Sequence, residues 1–122
     1  MIKQKNDQMK NNNEAIQWVK KNKNSSCFAS NYFYDNKQAL IFFKGIYKSG
    51  ATLIEITNIY DEDWRITEEG GPYADRITIY LPKSAKKSLD ILLYLIKIRN
   101  NNGIGDDLYF NRKNNTISIW WD

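Results

Sequence analysis

The 122-residue chain has no histidine, one cysteine and no long apolar run, and each shortage removes a class of function. Without histidine there is no Ser–His or Cys–His nucleophile, no imidazole acid–base catalyst and no supply of the commonest zinc ligand. Cys27, standing alone, forms no intrachain disulfide and has no second thiolate to share a metal. As a reactive thiol it would need an activating neighbour, and none is evident in the sequence. The expectation for Cys27 is a small, partly buried residue, and for the chain a reducing, cytoplasmic setting. The longest apolar stretch, residues 89–98, includes Asp90 and Lys97. It falls short of the about 20 residues that a membrane-crossing helix needs. Residues 1–8 carry lysines with no apolar core behind them, so neither a secretory signal nor a membrane association is expected.

The composition is that of a folded protein, with 42% hydrophobic and 14% aromatic residues. A single domain over residues 1–122 is expected, frayed over residues 1–10. The 14 lysines against four arginines accompany abundant asparagine and isoleucine, as in AT-rich bacterial or phage genes. That bias weakens any step from lysine number to nucleic-acid binding, because arginine is the usual choice for phosphate and base contacts.

Periodicity predicts an amphipathic helix over residues 14–22, with Ala15, Trp18 and Val19 on one face. Strands are expected over 28–34, over the nearly continuous apolar run 39–47, and over 51–60 as the antiparallel partner of that run. Residues 61–75 break the pattern with acids and Gly70-Gly71-Pro72. Residues 76–81 alternate, placing Ile77, Ile79 and Leu81 on one face. A long helix is expected over 84–100, with Ala85, Leu89, Leu92 and Ile96 inward and Leu93 and Leu95 widening that face. A hairpin of 107–111 and 116–121 closes the chain. The predicted fold is α+β, in the order α-β-β-β-β-α-β-β. It is a mainly antiparallel sheet of five to six strands with the long helix on one face.

Motifs for catalysis are not found. Gly103-Ile104-Gly105-Asp106-Asp107 lacks the third glycine and the strand-before-helix context of a dinucleotide loop. Asp61-Glu62-Asp63 lacks the alternating spacing of an EF-hand loop and its twelfth-position glutamate. Glu55-Ile56-Thr57 has threonine where a nuclease Glu-x-Lys tripeptide has lysine. A non-enzymatic protein without metal or cofactor is the expectation.

Charge is distributed unevenly. Residues 1–50 carry a net charge of +6 and residues 51–122 a net charge of −2. Within the latter, Glu55, Asp61, Glu62, Asp63, Glu68, Glu69 and Asp75 face only Arg65. A solvated acidic loop is one reading of this segment. The other takes account of Tyr60, Trp64 and Tyr73 among the acids: apolar anchors inside a charged rim are what protein interfaces use. A cationic partner matches such a rim, and nucleases are often cationic because their substrate is anionic.

With this format, a small histidine-free α+β chain with an acid-and-aromatic loop, the protein resembles an immunity protein of bacterial toxin systems, closest in style to the contact-dependent growth inhibition type. The resemblance implies a stoichiometric inhibitor that caps the active site of a cognate toxin, commonly a nuclease. The contact set would be Asp61, Glu62, Asp63, Trp64, Glu68, Glu69, Tyr73 and Asp75. The alternative is a small nucleic-acid-binding protein that uses the basic N-terminal half. In that reading Lys3, Lys5, Lys10, Lys20, Lys21 and Lys23 near Trp18 hold the backbone, and Tyr32, Phe33, Tyr34, Trp120 and Trp121 stack on bases if exposed.

Overall fold

The nearly continuous apolar run in the first half of the chain carries a helical period inside it. Ala39, Phe42, Phe43 and Ile46 are spaced by three, one and three residues, and all four are buried. In the computed structural model, which describes residues 13–28, 33, 35–102 and 107–121, this run lies within a helix, α2 (Asn36–Lys48). Asp35 caps it, its carboxylate accepting the Gln38 amide at 2.9 Å. The strand expected over 39–47 is therefore corrected to a helix. The exposed stripe of this helix is Lys37, Ile41, Lys44 and Lys48, and the apolar Ile41 within it hides the helical period of the run. The strand expected over 28–34 lies outside the described residues except at Phe28 and Phe33.

Before α2 comes α1 (Ala15–Lys21), capped by the Glu14 carboxylate on the Gln17 amide and burying Ala15, Trp18 and Val19. After it come β1 (Leu53–Tyr60), α3 (Asp63–Glu69), β2 (Tyr73–Tyr80), α4 (Ala85–Asn102), β3 (Asp107–Asn111) and β4 (Thr116–Trp120). The fold is α+β with an antiparallel sheet ordered β1-β2-β4-β3. Among the described residues the sheet has four strands where five to six were expected. A single bridge between Glu14 and Glu55 extends it at the β1 edge. With the 39–47 strand gone, β1 pairs with β2, in a register that runs from Leu53↔Tyr80 to Tyr60↔Tyr73.

Strand alternation sets the two faces of the sheet. Ile54, Ile56, Ile77, Ile79, Ile117 and Ile119 are buried on one of them. Each contributes roughly 1.5–3 kcal/mol of burial free energy. The opposite face carries Glu55, Thr78, Tyr80 and Ser118, with Arg76 and Trp120 exposed. Inside, Phe28 lies at the centre of an aromatic cluster, 5.4–5.7 Å from the rings of Trp18, Phe33, Phe43 and Trp121.

The helical layer is shared by several helices, where one long helix was expected. α2 packs against α1, α4 and β1. Gly45 on α2 lets α4 approach: a Cβ there would lie 2.0 Å from Tyr94 Oη. The Tyr94 ring uses this space to stack on Phe42, with centroids 6.2 Å apart. The inward face of α4 also differs from expectation. Ile91 and Leu95 are buried, whereas Leu89, Leu93 and Ile96 are exposed and Ala85 faces solvent. Apolar residues occur around much of this helix, so period alone does not single out one stripe.

Candidate protein-binding surface

The acidic segment joins two strands that are already paired, so its geometry starts from them. β1 ends at Tyr60 and β2 begins at Tyr73, directly opposite, with the two rings stacked at 5.4 Å. Residues 61–72 leave the sheet and return to it. They form α3 where an irregular acidic stretch was expected over 61–75. Gly70 ends the helix in the left-handed conformation (φ 91°), which glycine adopts without a steric penalty. At Gly71 a Cβ would lie 2.0 Å from Asn22 Oδ1. The segment after α1 holds this turn: Asn22 Nδ2 donates to Pro72 O at 2.8 Å and Asn24 Nδ2 to Gly71 O at 3.2 Å.

Helix spacing divides α3 into faces. Glu62, Arg65 and Glu69 lie together. Arg65 donates to Glu62 at 2.8 Å and to Glu69 at 3.1 Å. Its guanidinium also lies 4.5 Å from the Trp64 ring centroid, 5.3 Å from that of Tyr73 and 5.9 Å from that of Tyr60. The one base of the acidic segment thus braces α3 against the tyrosine stack. The hydrogen bond from Arg65 holds the Glu62 carboxyl below the usual range.

The remaining faces point outward, and α3 buries no residue of its own. Trp64 is 50% exposed and shares its face with Glu68; Ile66 is 41% exposed and shares its face with Asp63. Among the described residues, no ion pair engages Asp61, Asp63 or Glu68. The result is two apolar anchors beside free carboxylates.

Seven of the eight expected contact residues gather here: Asp61, Glu62, Asp63, Trp64, Glu68 and Glu69 are exposed, and Tyr73 is half-buried in the tyrosine stack. Asp75 stands apart from them. It is 8% exposed, and its carboxylate accepts Asn58 Nδ2 at 2.5 Å and the Tyr60 hydroxyl at 3.3 Å. Asn58 sits in β1 at φ 55°, a left-handed conformation that asparagine tolerates better than most residues. Asp75 therefore works inward, holding the strand end that leads to α3. Ile66 and the bracing role of Arg65 were not anticipated. The i−3 and i+4 spacing of Glu62 and Glu69 about Arg65 was the available signal.

Other candidates fall elsewhere. Cys27 is fully buried, its thiol pushed up to about 12 by burial, and it donates to Asn36 Oδ1 at 3.2 Å. Among the described residues no three His, Cys, Asp or Glu side chains gather as a metal site, and no helix is long and apolar enough to cross a membrane. Of the residues expected to hold nucleic acid, Lys3, Lys5, Lys10, Tyr32 and Tyr34 lie outside the described residues. Lys20, Lys21 and Lys23 are exposed, whereas Trp18, Phe33 and Trp121 are buried in the core. Trp121 Nε1 donates to Phe28 O at 3.2 Å, while its neighbour Trp120 faces outward. No protein-family model, no curated protein and no solved structure matches the chain.

Proposed function

We propose that this chain is a non-catalytic binding protein that docks α3 onto a cationic protein. The observation that carries this reading is the exposure of Trp64 and Ile66 beside the unpaired carboxylates Asp61, Asp63 and Glu68. A seven-residue helix is marginal by itself, and this one contributes nothing to the core. Its exposed tryptophan has the composition of an interface anchor, and the acids around it match a basic rim. The resemblance to immunity proteins makes the partner a toxin of nuclease type, whose active site α3 would cap. The carboxylates would then take the positions of substrate phosphates. The action belongs in the cytoplasm, where a lone thiol stays reduced.

The test is recovery of partners by the tagged chain from its native host, with and without nuclease, beside a Trp64→Ala variant. A stoichiometric basic protein that survives nuclease and is lost with Trp64→Ala supports the proposal. Recovery of that protein undiminished by Trp64→Ala would exclude α3 as the interface.

One observation favours nucleic acid as a second reading. Trp120 and Tyr109 are exposed, and strand alternation puts them on the polar face of the sheet with Arg76. Aromatic side chains on an open sheet stack bases. Material absorbing at 260 nm that is lost on nuclease treatment would favour this reading over the first.

A further inference from the structure

The outward stripe of α4 has a sequence that is complementary to itself. Leu89, Leu93 and Ile96 are 53%, 54% and 48% exposed. Their spacing of four and three is that of the d, a and d positions of a coiled-coil seam. They lie opposite the buried Ile91 and Leu95, so the stripe faces squarely away from the core. Asp90 and Lys97 follow the two d positions and so occupy successive e positions on one flank of the stripe. Asp90 is engaged by Lys86 along the helix at 3.6 Å, while Lys97 makes no ion pair among the described residues.

We infer that this face of α4 is a homodimer interface, with a second copy of the chain packed antiparallel across a two-fold axis near Leu93. The charges choose both the occupant and its direction. When two such helices run antiparallel about Leu93, Leu93 meets its symmetry mate and Leu89 meets Ile96. The same operation sets Asp90 of each copy beside Lys97 of the other, giving two opposite-charge pairs. In the parallel arrangement, flanking contacts join g to e positions, and Leu92 would face Lys97 with no charge match. A two-fold contact must be self-complementary, and only the antiparallel register is. Three seam residues per copy make a small interface, below the about 1,000 Å² of a stable one. The dimer is accordingly weak and concentration-dependent. This surface is separate from α3 and does not rest on the reading given to it.

Sedimentation velocity over about a hundredfold range of protein concentration tests the inference. The wild-type chain is expected to shift from monomer toward dimer as concentration rises. Leu93→Glu sets two carboxylates against each other on the axis and should hold the chain monomeric, with an unchanged far-UV spectrum and unfolding midpoint because the site is exposed. Asp90→Lys should weaken association about tenfold, and Asp90→Lys combined with Lys97→Asp should restore it. A wild-type chain that stays monomeric throughout would overturn the inference. So would association undiminished by Leu93→Glu, or a double variant that fails to recover.

Discussion

Tyr47 donates its hydroxyl proton to the Glu14 carboxylate at 2.5 Å and, at the same oxygen, accepts the Ile54 amide at 2.9 Å. One phenol thereby joins the cap of α1, the last turn of α2 and the start of β1. Burial and the Glu14 carboxylate both push its ionisation up. Tyr47→Phe keeps the ring and deletes both bonds, leaving the Ile54 amide without its acceptor. Such a loss costs about 1–3 kcal/mol. Urea unfolding of the two proteins is the check, and equal midpoints would mean that water replaces the hydroxyl.

The free carboxylates of α3 govern encounter with a cationic protein. Asp61→Asn, Asp63→Asn and Glu68→Gln together should slow association with the partner about tenfold at low salt and flatten its salt dependence. Dissociation should change less, because the apolar anchors Trp64 and Ile66 remain. Association kinetics at several ionic strengths decide it: an unchanged rate and salt slope would remove this helix from the interface.

Asp75 acts differently, although it belongs to the same acidic segment. Asp75→Ala leaves Asn58, in its left-handed conformation, and Tyr60 without their shared acceptor. The expected loss of stability is about 1–3 kcal/mol. Partner binding should weaken with no change in salt slope, because this carboxylate faces inward. Thermal denaturation read beside the salt series separates the two roles, and a flattened slope would return Asp75 to the contact surface.

Alkaline pH should destabilise the fold through Cys27. The buried thiol is pushed up to about 12, against 9.0 for an ordinary cysteine. The unfolded chain therefore releases a proton that the folded one keeps. Stability is fully present below pH 9 and is lost as pH rises toward about 12. Tyr47, Tyr80 and Tyr94 are raised in the same direction. Urea midpoints at neutral and alkaline pH should fall more steeply for the wild type than for Cys27→Ala. At neutral pH a thiol reagent should label the urea-unfolded chain quickly and the native chain slowly.

The correct and incorrect expectations share a physical origin. Period-two alternation over residues 76–81 describes an element with one wet face and one dry face, and Ile77, Ile79 and Leu81 are indeed buried in and after β2. Residues 39–47 are apolar with little interruption because Ile41 occupies the exposed stripe of α2 between Lys37 and Lys44, and helix and strand then look alike in sequence. Asp35, placed to cap Gln38, was the local sign of the helix. The segment 61–72 was legible as acidic and aromatic, but its helix was not. What orders it is Arg65, bridging two glutamates and lying against a tyrosine stack made by strand pairing.

The sequence by itself determined the absence of histidine chemistry and of an intrachain disulfide, the α+β class, and the concentration of acids and aromatics between Glu55 and Asp75. Those properties follow from residue type and local spacing. Tertiary structure decided which strands pair, which stripe of α4 turns inward, that Trp121 is buried while Trp120 is not, and that Asp75 faces the neighbouring strand β1 while Asp61, Asp63 and Glu68 face solvent. Each of these is a choice between chemically similar residues. Local spacing cannot make that choice, because it depends on which surfaces meet when distant segments pack.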